Sequence, residues 1–365
     1  MSDELAVSPE FWPGIRNSSL SLLVSRSVFW LVLFAICLGL GYPTLNRYDA
    51  RKTGHVDSAQ YYRIVEHSPA EARGHWRYRV LVPYLAKPVF HAAKGRVGSW
   101  DPVFLGLLVV NAAFVASTVV LLSLVCGSLV TDASVAIMAG CLYLLNFAVP
   151  NEQLAGMVDS AEAFFLMAVA WALLRNRWYL LPMLAVGGAL GKETFVPLAM
   201  CFAGVWWVVS PSRGKTRIDR MLWIAAMAVC GLGTATAVYS SVEGSIVWPW
   251  SIAASVAANV GCLRGLAGCL RARTFWYPFL WQVPLGIWQL KNLPRPWVLG
   301  SIGSAAAALL LGAYANAEGN VSRAMFDCVG PVLSLSSAMT LAQLGRTMGQ
   351  KPEDVPATER RNVTA

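Results

Sequence analysis

The chain alternates between long apolar runs and short polar stretches, and the runs predict its architecture. A helix needs about 20 apolar residues to cross roughly 30 Å of hydrocarbon, and many of the runs approach or reach that length. The pattern therefore predicts an all-α polytopic membrane protein with about ten transmembrane helices. The predicted segments are residues 28–45, 103–128, 133–150, 158–174, 178–191, 194–210, 221–242, 276–290, 297–315 and 325–344.

Two predicted segments contain residues that weaken a helix. Segment 178–191 has two adjacent glycines, and segment 276–290 contains Pro278 and Pro284. Short or broken helices are tolerated at membrane depth where they border protein or a water-filled cavity rather than lipid. We therefore expect both segments to lie inside the bundle or beside a cavity.

Composition places the chain in the same class and excludes one kind of partner. Hydrophobic residues make up 56% of the sequence and charged residues 13%, whereas soluble domains carry about 25% charged residues. The net charge is +9, but most basic residues lie in short loops beside apolar runs, where they determine membrane topology. We therefore predict contact with membrane lipids and no nucleic-acid partner.

The distribution of arginine and lysine predicts the orientation. Basic residues cluster before the first predicted segment and after the fourth, sixth, eighth and tenth. With ten segments, all these clusters lie on one side, which is then cytoplasmic. The prediction is a multi-pass protein of a bacterial inner or plasma membrane, with both termini in the cytoplasm. It divides into a cytoplasmic N-terminal segment (1–27), a transmembrane domain (28–345) and a disordered cytoplasmic tail (346–365).

The first external loop, residues 46–102, departs from this charge rule, because it carries ten arginines and lysines. This excess of positive charge indicates an anionic ligand. The loop contains the sequence HVDSAQYYRIVEHSPAEARGHWRYRVLVPYLA (His55–Ala86), in which Asp57 and Tyr61 are four residues apart and share one face of a helix. Residues Tyr78–Phe90 predict a short amphipathic helix at the membrane interface, interrupted by prolines.

Further ionisable residues lie at the outer ends of predicted segments, where charge is costly and functional by default. They are Glu152, Asp159, Lys192, Glu193 and Arg323, together with Arg77 and Arg79 of the loop. This clustering predicts one polar cavity on the outer side. Because a guanidinium matches the oxygens of a phosphate in pairs, the arginines point to a phosphate-bearing ligand.

These motifs together resemble the GT-C superfamily of polytopic glycosyltransferases. The residues that carry the resemblance are Asp57 with D-x3-Y, R-Y-R-x-L-x-P-x-L (Arg77–Leu85), NEQLAGMVDSAE (Asn151–Glu162), GKET (Gly191–Thr194) and EGNVSRAMFDCVGP (Glu318–Pro331). The sequence departs from the family pattern in lacking a DxD or ExD pair in the first loop and a soluble C-terminal domain. No metal ligands and no cofactor are predicted, and dependence on a divalent metal stays open.

The resemblance implies transfer of a sugar from a polyprenyl-phosphate donor to a glycan, lipid or protein acceptor in the cell envelope. Asp57 would be the general base, and Asp159 is the second catalytic candidate. The leaving phosphate would be bound by cations, because negative charge on its oxygens grows as the bond breaks. The predicted substrate-binding residues are Tyr61, Arg77, Arg79, Glu152, Lys192, Glu193 and Arg323.

Each of these residues also has a simpler structural interpretation. Asp57 and Asp159 could cap helices, and Lys192 could extend along apolar surface to reach water. The paired arginines of the loop could anchor lipid headgroups. The alternative function is a transporter or flippase of a lipid-linked or anionic substrate, and a non-catalytic membrane partner is a third interpretation.

Overall fold

The computed structural model describes residues 19–47, 56–98, 100–130, 132–211, 214–249, 251, 262–315 and 321–349. In these ranges the regular structure is helical and contains no strand, which confirms an all-α protein. The helices are α1 (Ser19–Asn46), α2 (Val56–Glu66), α3 (Leu81–Ala93), α4 (Pro102–Leu129), α5 (Ala133–Leu144), α6 (Asp159–Leu174), α7 (Leu181–Gly191), α8 (Phe195–Val209), α9 (Lys215–Glu243), α10 (Cys262–Arg271), α11 (Arg273–Trp276), α12 (Gln282–Gly286), α13 (Arg295–Tyr314) and α14 (Val321–Gly349). Single turns of other helix types lie at Pro69–Glu71, Gly74–Tyr78, Val149–Gln153, Trp178–Leu180 and Leu290–Asn292.

Five of the described helices are long and apolar enough to cross a membrane, namely α1, α4, α9, α13 and α14. The chain is therefore an all-α membrane protein, as the hydrophobic pattern predicted. The predicted number of ten spans is not confirmed. Four predicted segments correspond to shorter helices, α5 to α8, which have between 11 and 16 residues and fall below the length of about 20 residues that a straight crossing needs.

The predicted segment 276–290 is not a continuous helix. It consists of turns and the short helix α12. The segment runs alongside α14, where Gln282 donates to Ser334 at 3.0 Å and Gln289 donates to Gln343. Hydroxyl groups of α14 bind carbonyl oxygens of this segment, and Thr340 donates to Leu285 at 2.7 Å. A neighbouring helix thus satisfies polar groups of this irregular backbone.

The amphipathic helix predicted at Tyr78–Phe90 is observed as α3, preceded by the turn Gly74–Tyr78. The prolines do not interrupt it. Pro83 lies in the first turn, where its missing N–H costs no intrahelical hydrogen bond, and Pro88 lies inside the helix. The prediction of an interruption was wrong because packing on α4 maintains the helix across Pro88.

Helix α4 lies at the centre of the molecule and packs on α1, α3, α5 and α6. Its start follows from the sequence. The Asp101 side chain accepts hydrogen bonds from the N–H groups of Val103 and Phe104 at 2.8 and 3.3 Å, and Pro102 occupies the first helical position. Both features are typical of a helix N-terminus.

The two ends of the described chain are more helical than the predicted domain boundaries indicated. Helix α1 begins at Ser19, within the predicted N-terminal segment, and α14 continues to Gly349, so the first residues of the predicted tail are helical. Residues 1–18 and 350–365 lie outside the described residues, as do residues 48–55 of the first loop. The packing of the helices brings one end of each of α2, α6, α7 and α14 close together.

Candidate functional site

The first element of the site is an ion pair between Asp57 and Arg323. Asp57 lies in the first turn of α2 and Arg323 in the first turn of α14. The Asp57 Oδ2 atom accepts a hydrogen bond from Arg323 Nη2 at 3.1 Å. The side chains of Asp57 and Arg323 are 16% and 11% exposed, which makes this pair the most accessible part of the network described below.

Beyond this pair, charged side chains continue into the protein in alternating sign. Arg323 Nη1 lies 3.5 Å from Asp159 Oδ2. The Lys192 Nζ atom donates to Asp159 Oδ1 at 2.8 Å and also contacts Glu162. Thr194 donates to the other oxygen of Glu162 at 2.6 Å. Five ionisable groups from α2, α6, α14 and the α7–α8 connection thus form one continuous network.

Asp327 adds a further carboxylate to the buried end. It lies four residues after Arg323, so both side chains are on the same face of α14. One oxygen from each of Asp159, Glu162 and Asp327 lies within 4.8 Å of the other two. Gln153 donates to Asp327 Oδ1 at 2.7 Å, while Asp327 Oδ2 has no hydrogen-bond partner among the described residues.

These three carboxylates are the group in the described residues that could offer ligands to a metal ion. The Lys192 ammonium already contacts two of them. A divalent cation would therefore have to displace Lys192. Although burial lowers the pKa of Lys192, the neighbouring Asp159 and Glu162 raise it above its ordinary value, so the lysine stays charged and acts as the counter-ion.

A second pair lies beside the first network. Arg79 binds Glu193 through two nitrogens, at 2.9 Å from Nε to Oε2 and 2.6 Å from Nη2 to Oε1. Its third nitrogen donates to the Tyr61 hydroxyl at 3.0 Å. Burial raises the pKa of Glu193, but the Arg79 guanidinium outweighs burial and lowers that pKa to about 2. Glu193 is therefore ionised at neutral pH and holds Arg79 in place.

Arg77 is not part of either group. It pairs with Glu243 at the end of α9, which also accepts a hydrogen bond from Tyr78. Arg77 and Arg79 therefore face different partners. The expectation that the two arginines bind one anion together does not fit this arrangement, because each guanidinium is held by its own carboxylate.

Glu152 lies in the turn Val149–Gln153 between α5 and α6 and is only 7% exposed. Its Oε2 atom has no hydrogen-bond partner among the described residues. Burial raises the pKa of Glu152 to about 8, and Arg323 opposes this shift only in part. Glu152 is therefore mostly protonated at neutral pH.

The connection from Leu154 to Val158 positions the acidic start of α6. The Ser58 hydroxyl donates to the Ala155 carbonyl at 2.8 Å and links α2 to this connection. Asn111 of α4 donates to the Met157 carbonyl at 2.9 Å and accepts from Ser160 at 2.6 Å. Gly156 adopts a φ of +75°, which residues with a side chain rarely adopt. These bonds place Asp159 beside Lys192 and Arg323.

The structure thus brings together most of the residues that the sequence singled out. Asp57, Asp159, Lys192 and Arg323 form one network, and Tyr61, Arg79 and Glu193 form a second beside it. All four predicted phosphate-binding cations are paired with carboxylates, so the site is not an open basic pocket. The two groups together hold five carboxyl groups and three cations.

Sequence analysis missed Glu162, Asp327, Thr194 and Gln153 as members of the site. Spacing contained a signal for the first two. Glu162 is three residues after Asp159, and Asp327 four after Arg323, so each shares a helix face with a predicted site residue. Glu318, which belongs to the last motif, lies outside the described residues.

Comparison with known proteins gives no further guide to the site. No protein-family model matches the chain, and no curated protein matches it.

Proposed function

We propose that the protein is a multi-pass membrane glycosyltransferase that uses a polyprenyl-phosphate sugar donor at its outer face, with Asp57 as general base. The observation that carries the proposal is the Asp57–Arg323 pair, with Nη2 and Oδ2 3.1 Å apart at the accessible edge of the charge network. A carboxylate and a guanidinium side by side can deprotonate an acceptor and bind a phosphate. The resemblance to GT-C enzymes is consistent with this pairing.

In the proposed reaction, an acceptor hydroxyl gives its proton to Asp57. The acceptor oxygen then bonds to the anomeric carbon, while the bond from that carbon to the phosphate oxygen breaks. The electron pair of that bond leaves with the polyprenyl phosphate, and Arg323 stabilises the growing negative charge. Arg323 exchanges Asp57 for the phosphate, which releases the Asp57 carboxylate at the moment when it is needed as a base.

The buried residues have a positioning role in this proposal. Asp159 lies 3.5 Å from Arg323 and 2.8 Å from Lys192, so Lys192 acts on Arg323 through Asp159. Arg79, held by Glu193, fixes the Tyr61 hydroxyl one helical turn from Asp57. The proposed topology has ten crossings and both termini in the cytoplasm, with the short helices and the broken 276–290 segment crossing inside the bundle.

The test is sugar transfer by purified protein with a polyprenyl-phosphate sugar, measured for wild type, Asp57→Asn and Glu66→Gln. Glu66 is an exposed carboxylate at the other end of α2 and provides the matched control. General-base assistance is worth about 10²–10⁴ in rate, so Asp57→Asn should lose that factor while the protein stays folded. Equal transfer rates for Asp57→Asn and Glu66→Gln would contradict the role of Asp57.

The excess of buried carboxylates favours a second function, a transporter or flippase driven by protons or cations. Asp159, Glu162 and Asp327 lie within 4.8 Å of one another around one lysine, and intramembrane carboxylates often mark proton or ion pathways. Reconstituted vesicles distinguish the two functions. Transfer activity without ion-driven transport supports the enzyme, whereas uptake that is lost in Asp327→Asn supports the transporter.

A further inference from the structure

A groove lies on another side of the bundle from the charge network. It has a volume of 310 Å³ and is lined mainly by apolar side chains of α1, α4, α6 and α7, among them Trp30, Phe164, Trp171 and Met183. Along α6 the groove extends from Phe164 to Trp171, which are five and twelve residues beyond Asp159. None of its lining residues belongs to the charge network, so the groove is separate from the candidate site.

The wall of the groove is held in place. The Trp30 indole N–H donates to Ser117 of α4 at 2.9 Å, and the Trp30 ring stacks on Phe34 with ring centres 5.2 Å apart. Helix α1 packs on α4, α4 on α6, and α6 on α7, so the groove opens between α1 and α7. Its floor is formed by packed helices.

Two arginines lie at the same end of the groove. Arg26 lines a second hollow that shares Trp30 with the groove. The Arg177 guanidinium lies over the Trp171 ring, 5.2 Å from its centre. Both side chains are exposed, and neither pairs with a carboxylate among the described residues. An apolar groove thus ends at two cations for which the part of the chain that the structure describes offers no paired carboxylate.

We propose that this groove binds one acyl chain of an anionic glycerophospholipid, with the lipid phosphate at the end that carries Arg26 and Arg177. An acyl chain gains little by moving from surrounding lipid to an apolar groove, so headgroup charge decides which lipid binds. Basic pockets between membrane helices bind anionic headgroups for this reason. The inference does not depend on the proposed enzymatic function.

The experiment measures lipid retention by native mass spectrometry after reconstitution with phosphatidylglycerol and phosphatidylcholine. Wild type should retain phosphatidylglycerol preferentially. Each arginine contributes about 1 kcal/mol to binding of anionic lipid, so the double variant Arg26→Ala/Arg177→Ala should bind phosphatidylglycerol about 30-fold more weakly. Lys215→Ala/Arg346→Ala removes the same charge from exposed positions outside the groove and should leave retention near wild type.

A second variant tests the groove without a change in charge. Met183 is 64% exposed and lines the groove, so Met183→Trp fills the groove from its open side and should lower phosphatidylglycerol retention. Equal retention of the two lipids by wild type would overturn the inference. So would equal losses in the two double variants, which indicate surface charge alone, or full retention by Met183→Trp, which indicates that no chain enters the groove.

Discussion

Removal of the Lys192 charge is the sharpest perturbation of the buried network. Lys192 is 7% exposed, and its ammonium contacts both Asp159 and Glu162. Lys192→Met keeps an unbranched side chain and removes the charge. Asp159, Glu162 and Asp327, which offer oxygens within 4.8 Å of one another, would then keep only Arg323, which lies 3.5 Å from Asp159.

The magnitude follows from the geometry. At the 2.8 Å separation of Lys192 Nζ and Asp159 Oδ1, the attraction is about 6 kcal/mol for an effective dielectric constant near 20. Loss of the burial penalty of the ammonium offsets part of it. Breaking a buried ion pair from one side costs about 3–5 kcal/mol, and we expect Lys192→Met to lower the free energy of unfolding by that amount.

The assay is reversible unfolding in mixed micelles, with SDS as the denaturant. Lys192→Met/Glu162→Gln removes one charge of each sign and should recover at least about 1 kcal/mol. Arg346→Met is the matched control, because Arg346 pairs with Asp132 while its side chain is 71% exposed, and such pairs contribute about 0–1 kcal/mol. If Lys192→Met unfolded at the same SDS fraction as Arg346→Met, the buried network would have no structural role.

Three further predictions concern other parts of the molecule. The pKa of Glu152 is raised from 4.5 to about 8, so its contribution to stability is fully present below pH 4.5 and is lost as the pH rises through 8. Thermal unfolding between pH 6 and 9 should show this loss for wild type and not for Glu152→Gln, and parallel profiles would contradict the shift. A Cβ on Gly106 would lie 2.8 Å from the Ala86 carbonyl oxygen, so Gly106→Ala should force α3 away from α4. We expect it to destabilise the protein by about 1–3 kcal/mol in the same SDS assay. An unchanged unfolding midpoint would argue against this close contact. Thr340→Val keeps the shape of the side chain but removes the hydrogen bond to Leu285, and should cost about 0.5–1.5 kcal/mol, whereas no loss would indicate that the broken segment finds another donor.

The sequence alone was sufficient for the class of the protein and for the positions of most helices. Hydrophobic runs and periodicity are local properties, and they predicted α1, α4, α9, α13 and α14. Most of the predicted ends of these helices lie within a few residues of the observed ends. The number of crossings could not be confirmed in the same way. The broken segment beside α14 depends on hydroxyl groups of that helix, which bind its carbonyl oxygens from about 50 residues away in the sequence.

For the candidate site, too, the sequence predicted some features and the tertiary structure decided others. The sequence indicated which ionisable residues lie at the ends of apolar runs, because charge in that position is costly wherever the chain folds. It could not indicate their partners. Asp57 and Arg323 are 266 residues apart in the sequence, and whether Arg323 meets a carboxylate or stays open for a phosphate depends on distances in space. Only the tertiary structure decided that the predicted phosphate-binding cations are paired, and that Glu162 and Asp327 join them, because ion pairing is set by the packing of α2, α6 and α14 against one another.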